Sequence, residues 1–243
     1  MAQNIKTFVV HLARATTRRP LVDRLLQATP FDAEVFDAVE GASLSPAQHA
    51  AVYSQHPLFA PAYPFSLGAG EIGCFLSHRA LWQTILDQDL DAALILEDDL
   101  AIGPQFAQAV RLAADHIADL GVVQFQVRPI ADPATVIAQN GGVQIIRPQV
   151  TPLRTSAQLV SQAAARHLLA LTERFDRPVD TFLQMHWITG LPLACAVPSG
   201  VSDHTADAGG STISRKTPLN QKLAREVKRY LYRRAVRRAS RPA

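Results

Sequence analysis

The run Ala92-Ala93-Leu94-Ile95-Leu96 passes directly into Glu97-Asp98-Asp99. A short unbroken apolar segment bounded by polar residues is the pattern of a strand buried on both faces of a parallel sheet, since alternation appears only where one face meets water. Open α/β sheets bind ligands just beyond the carboxyl ends of their strands. The chain therefore sets three adjacent carboxylates where a ligand would sit. They repel one another unless a positive group neutralises them, and a divalent cation held by oxygen ligands does that. The plainer alternative is that Asp99 helps to start the helix that follows Gly103-Pro104.

The rest of the chain has the alternation an α/β fold requires. A strand over 6–12 leads to a helix over 19–28 and a strand near 34–39. The segment 41–70, with Pro57, Pro61 and Pro64, reads as a loop-rich insertion over the sheet. Cys74, Phe75, His78, Leu81, Trp82 and Ile85 define the apolar face of a helix over 71–87. His78 inside that face is a core histidine in the simplest reading. After the acidic strand come a helix over 104–120, a strand over 122–127, a Pro/Gly-rich excursion with a short strand over 143–146, and a strand over 158–160. Ser161 caps a helix reaching about residue 175, a further helix spans 180–189 and stops at Gly190, and a last strand spans 193–197. This order predicts one α/β domain over 1–214, with a mostly parallel sheet and helices on both faces.

At 243 residues and 48% hydrophobic, the chain is long enough for one large domain with a sizeable core. No run of eighteen apolar residues exists to span a membrane, and the first residues lack a signal peptide's apolar region, so a cytoplasmic location is expected. Cys74 and Cys195 sit in apolar elements and read as reduced core residues. There is no Cys/His spacing of a zinc motif and no glycine-rich phosphate loop.

Charge is uneven. From Arg215 onward stand eleven Lys/Arg and one acidic residue, Glu226, which makes the tail about +10 and the body about −7. Leu219, Leu223, Val227, Tyr230 and Leu231 recur there at helical spacing. A basic amphipathic tail over 215–243 is thus expected to lie on an anionic membrane surface, in preference to staying solvated. Nucleic acid is not an expected partner, because the body is acidic.

Gly70-Glu71-Ile72-Gly73-Cys74-Phe75-Leu76-Ser77-His78, then Trp82, then Leu96-Glu97-Asp98-Asp99, resembles glycosyltransferase family 25, the lipooligosaccharide and lipopolysaccharide galactosyltransferases with collagen galactosyltransferase relatives. The resemblance extends to Val9-Val10-His11-Leu12 with Arg18-Arg19, to Phe36-Asp37-Ala38-Val39-Glu40-Gly41, to Arg177-Pro178-Val179-Asp180, and to Pro198 and Ser211-Thr212-Ile213. It covers roughly residues 5 to 215. One departure is the strand over 122–127, where Gln124 and Gln126 stand in place of the acidic residue that bacterial members often carry.

The resemblance implies a GT-A-like nucleotide-sugar-binding domain. It also implies transfer of a hexose, galactose first, from a UDP-sugar to a lipid-linked oligosaccharide of lipooligosaccharide or lipopolysaccharide type, at the inner face of the cell membrane. Mn²⁺, or Mg²⁺, would be held by Asp98 and Asp99 and would neutralise the leaving diphosphate. Glu97 would belong to the same cofactor-binding set, turned toward Ser77 or His78. Asp180 is the first candidate for the base that takes the acceptor proton, with an N-cap as its plainer role, and His78 is the competitor. Arg14, Arg18 or Arg19 would meet the phosphates, and Asp37 the ribose, by analogy of fold alone. Two other classes remain open: a metal-dependent hydrolase of nucleotide-sugars or phosphate esters, and a noncatalytic membrane-bound module led by the basic tail.

Overall fold

In a computed structural model, which describes residues 3–204 and 219–241, the elements run β1 (Ile5–His11), α1 (Arg19–Ala28), β2 (Ala33–Asp37), α2 (Pro46–Val52), α3 (Ala69–Asp87), β3 (Ala92–Glu97), β4 (Leu100–Ile102), α4 (Phe106–Leu120), β5 (Val122–Phe125), β6 (Ala134–Asn140), β7 (Val143–Pro148), β8 (Ala157–Ser161), α5 (Gln162–Leu171), α6 (Val179–Leu183), α7 (His186–Thr189), β9 (Ala194–Val197), β10 (Val201–Asp203) and α8 (Leu219–Ala239). The apolar run that opened the sequence reading is β3. Its first five residues are completely buried because the strand lies centrally, between β1 and β8, with helices over both faces.

One eight-stranded sheet has the order β2-β1-β3-β8-β5-β9-β7-β6. Six of its strands point the same way, and β7 and β8 run against them. The sheet is therefore mostly parallel in strand direction, as expected, with two reversals that the sequence did not announce. β8 forms antiparallel ladders with both β3 (Ile95 opposite Gln158) and β5 (Gln124 opposite Gln158). β4 and β10 pair apart from the main sheet.

Helices α1 and α4 pack on one face around Val22, Leu25, Phe106, Val110 and Ile117. Helices α3, α5 and α6 pack on the other around Phe75, Trp82, Leu168 and Phe182. Phe75 stacks on Phe175 with ring centroids 3.9 Å apart, which ties α3 to the loop before α6.

Several local expectations shift. Ser161 does cap α5, accepting from Ala164 N, but α5 ends at Leu171 rather than near 175. The helix expected over 180–189 is two short ones, α6 and α7, with Gly190 in the left-handed conformation closing the second. The loop-rich insertion contains α2, started by a capping box between Ser45 and Gln48. The excursion after β5 is a hairpin, β6 and β7, whose first strand is mostly exposed at the sheet edge.

The expected boundary at residue 214/215 and the Ser211-Thr212-Ile213 segment lie outside the described residues. Helix α8 itself lies against the body. Val236 is buried, Tyr232 meets the Tyr63 ring edge-on at 5.5 Å, and the guanidinium carbons of Arg225 and Arg229 stand 4.8 and 5.8 Å from the Phe65 ring centroid. The stripe picked out by sequence faces the other way: Leu223, Val227, Tyr230 and Leu231 are 76, 52, 62 and 56% exposed. No helix among the described residues is long and apolar enough to cross a membrane.

Candidate active site

The carboxyl ends of β1, β2 and β3 open onto a cleft of about 490 Å³. Its floor carries Glu97, Asp98 and Asp99. One wall is the face of α3 that holds Cys74, Ser77 and His78. The facing wall is Leu153, Arg154, Thr155 and Ser156 before β8, with Pro178, Val179, Asp180 and Thr181 at the start of α6, and Tyr63 comes from the insertion.

Two glycines let α3 approach the turn after β2. A Cβ on Gly41 would lie 1.9 Å from Ala69 O, and one on Gly73 would lie 2.5 Å from Val39 O. Backbone thus packs on backbone, and Ser77 Oγ both accepts from Val39 N and donates to Gly73 O, each at 2.8 Å. This contact places His78 and Cys74 on the cleft.

The three floor carboxylates have different surroundings. Asp98 is buried, and its two oxygens meet His11 Nδ1 at 2.7 Å and Arg18 Nη1 at 2.5 Å. The same Arg18 nitrogen stands 3.4 Å from Asp99 Oδ2. Arg18 is only 5% exposed, so it acts as a fixed counter-charge beneath the strand ends. Glu97 lies toward the wall before β8, accepting from Thr155 Oγ1 at 3.4 Å. Burial, and next the charge of Asp99, push its carboxyl up to about 7. The expected bonds from Glu97 to Ser77 or His78 are not the ones it makes. Ser77 is engaged with backbone, and His78 Nδ1 lies 3.0 Å from Gln158 Nε2. Burial lowers His78 to about 4, so the ring is neutral.

Asp180 is not a helix cap, since Pro178 holds the N-cap position of α6. Its Oδ2 accepts from Arg154 N at 3.1 Å, and its Oδ1 accepts from Thr181 N at 2.6 Å and Thr181 Oγ1 at 3.1 Å. Arg154 holds a left-handed backbone, φ 83°, costly for a residue with a side chain, and donates to Asp203 Oδ2 at 2.5 Å.

The cleft thus gathers Arg18, His78, Glu97, Asp98, Asp99 and Asp180 from four separate chain segments. It does not gather Arg19, which pairs with Asp23 on the exposed side of α1, or Asp37, which is exposed and outside the lining. Arg14 does reach the cleft, paired with Glu40. Sequence reasoning missed Tyr63, Arg154, Thr155 and Ser156, for which no pattern in the chain gives a signal.

It also passed over Arg177, although that residue opens the Arg-Pro-Val-Asp segment. Arg177 is completely buried. It forks onto both oxygens of Asp176 (2.7 and 3.0 Å) and donates to Phe59 O at 2.9 Å, Pro61 O at 3.1 Å and Tyr232 Oη at 3.2 Å. It therefore ties the insertion and α8 to the segment that carries Asp180.

A Drosophila melanogaster glycosyltransferase 25 family member is 34% identical over 193 residues, covering 74% of this chain and 30% of the relative. Human procollagen galactosyltransferase 2 is 33% identical over 115 residues, covering 45% of this chain and 18% of the relative. The chain spans less than a third of the length of either. Among solved structures, a Drosophila galactosyltransferase 7 complexed with manganese, UDP-Gal and xylobiose aligns with a TM-score of 0.41 and 10% identity, over 91% of this chain and 79% of that one. That likeness is too loose to carry any argument about the site. The sequence profile described as glycosyltransferase family 25 (LPS biosynthesis protein) matches residues 4–183, about three quarters of the chain and every cleft segment described above, and the chain belongs to that family.

Proposed function

We propose that this chain transfers a hexose, galactose first, from a UDP-sugar to a saccharide acceptor, of the lipid-linked lipooligosaccharide or lipopolysaccharide kind. The observation that carries the reading is the cleft at the carboxyl ends of β1 to β3, floored by Glu97, Asp98 and Asp99 and faced by Asp180.

The donor set fits a hard divalent cation. Six carboxylates line the cleft, those of Glu40, Glu71, Glu97, Asp98, Asp99 and Asp180, and Arg18 pairs with Asp98 and Asp99. Asp99 is the more accessible of the expected pair, its side chain 16% exposed against 8% for Asp98, and so the better ligand, with Asp98, held by His11 and Arg18, as its support. When bound, Mn²⁺ or Mg²⁺ supplies Lewis-acid neutralisation of the departing diphosphate. Arg18 holds the floor carboxylates in place from below. Asp180 accepts the proton of the acceptor hydroxyl, held in position by Arg154 N and Thr181. Neutral His78 is the competing acceptor of that proton.

On the same reading the protein works at the inner face of the cell membrane. The outward stripe of α8, with the basic residues around it, meets anionic lipid.

The test is UDP release from UDP-Gal, UDP-Glc, UDP-GlcNAc and UDP-GalNAc, with and without a lipooligosaccharide acceptor. Acceptor-dependent release from one donor supports the proposal. Equal release without acceptor identifies a hydrolase, and no release from any donor identifies a catalytically silent binding module.

A further inference from the structure

Cys74 has no part in the transfer chemistry, yet it shares the cleft wall with His78. The two lie four residues apart on α3, and therefore on one helix face. Glu97 approaches them from the end of β3. One ligand atom from each of the three lies within 4.8 Å of the other two. Around a tetrahedral zinc ion, neighbouring ligand atoms stand roughly 3.3–3.7 Å apart, given Zn–S of about 2.3 Å and Zn–N and Zn–O of about 2.0–2.1 Å. The remaining difference is on the order of 1 Å, to be closed by movement of the three side chains on binding.

We propose that Cys74, His78 and Glu97 form a site for a soft divalent cation of the zinc class, distinct from the all-oxygen set of Asp98 and Asp99. The chemistry separates the two: a thiolate and an imidazole select zinc or cobalt, and carboxylates select manganese or magnesium. Thiolate and carboxylate together cancel the dication, and the imidazole adds a neutral donor. Binding is a simple exchange, in which the Cys74 thiol gives its proton to solvent and the sulfur bonds to the metal.

Gln158 provides the supporting contact. Its amide faces His78 Nδ1, which leaves Nε2 as the metal-binding nitrogen. Nδ1 must then carry the ring proton and Gln158 must accept it through Oε1. That oxygen, on a residue with no exposed surface, has no partner among the described residues in the present amide orientation. A half-turn of the amide exchanges its two similar ends and creates the Nδ1–H···Oε1 bond, the outer contact that metal-bound imidazoles usually make. All three ligands line the cleft, so a cation there blocks the acceptor's approach to Asp180 and zinc inhibits transfer. Metal binding stands on these side chains alone; only the inhibition rests on the transferase reading.

The metal-free full chain is titrated with Co²⁺. A thiolate-to-cobalt charge-transfer band is expected in the near ultraviolet, saturating at one equivalent and removed by Zn²⁺. The band is expected to persist in Cys195→Ser and to vanish in both Cys74→Ser and Cys74→Ala. Absence of the band in the wild type, or its survival in either Cys74 variant, overturns the proposal. In the transfer assay with excess Mn²⁺, the zinc concentration giving half inhibition is expected to rise at least tenfold in Cys74→Ser. A cobalt band in a protein that releases no UDP from any donor would sink the transferase reading and leave the metal site standing.

Discussion

Arg18 Nη1 lies 2.5 Å from Asp98 Oδ1, beneath a floor on which three successive residues carry carboxyl groups. The guanidinium is fixed by burial, so it neutralises part of the floor whether or not a cation is bound. Removing it strands the Asp98 charge. Arg18→Leu is expected to cost about 3–5 kcal/mol in urea unfolding, the usual penalty for breaking one side of a buried pair. A loss under 1 kcal/mol would show that His11 alone suffices for Asp98.

Asp99 and Asp98 are expected to separate on mutation. Asp99→Asn leaves the His11–Asp98–Arg18 arrangement in place, so it should unfold near the wild-type midpoint while losing most UDP release in Mn²⁺. Asp98→Asn should lose both rate and stability. EDTA should silence the wild type and added Mn²⁺ restore it; full activity in EDTA would remove the metal from the mechanism.

The proton acceptor is decided by Asp180→Asn against His78→Gln, measured side by side. Asp180→Asn should lower kcat by roughly 10² to 10⁴, as for a positioned general base, with little change in UDP affinity. If only the His78 variant slows, the role passes to that imidazole.

His78 also gives the protein an acid-side signature. Its folded value, about 4, lies below the ordinary 6.5, so the unfolded chain binds more protons between those limits. Stability should therefore be unaffected by this residue above pH 6.5 and fall as pH drops through the window. The drop is roughly 2 kcal/mol by pH 5, a one-unit shift being about 1.4 kcal/mol. His78→Gln should flatten that part of the unfolding-versus-pH curve; an unchanged slope would show that the ring titrates normally.

Helix α8 is expected to matter for more than attachment. Tyr232 meets Tyr63, which lines the cleft, and accepts from Arg177, which precedes the Asp180 segment. A chain ending at residue 214 should lose thermal stability and most activity on a short soluble acceptor, as well as binding to anionic vesicles. Leu223→Ser with Leu231→Ser, on the outward face, should lower vesicle binding and leave soluble-acceptor activity intact. Unchanged vesicle binding in that double variant would place the lipid contact elsewhere.

The acidic strand, the Ser-His helix and the layering of helices on both faces were legible because burial periodicity is local. Strand direction was not. An apolar run such as Leu159-Val160 reads alike in either orientation, so the reversal of β8 left no mark on its residues. β6 escaped for a different reason: it is mostly exposed, Val136 and Ile137 included, so it shows no in-and-out alternation, and its place is set by its pairing with β7. On α8 the apolar stripe was found, but the packing of the opposite face on the body was not. Arg225 and Arg229 make the inward contact through Phe65, and hydrophobic periodicity does not register a guanidinium lying over a ring. In the site, carboxylates adjacent in sequence stood out, whereas Tyr63, Arg154 and Thr155 arrive from loops whose convergence only the fold determines.

Arg177 holds Phe59, Pro61, Asp176 and Tyr232 from a single completely buried guanidinium. If α8 lifts away, that guanidinium loses its bond to Tyr232 Oη and the cover that keeps it buried. The helix, the insertion and the wall beneath Asp180 therefore open together or stay shut together. On the timescale of amide exchange they are expected to behave as a single cooperative unit, although Phe59 and Tyr232 lie 173 positions apart in the chain.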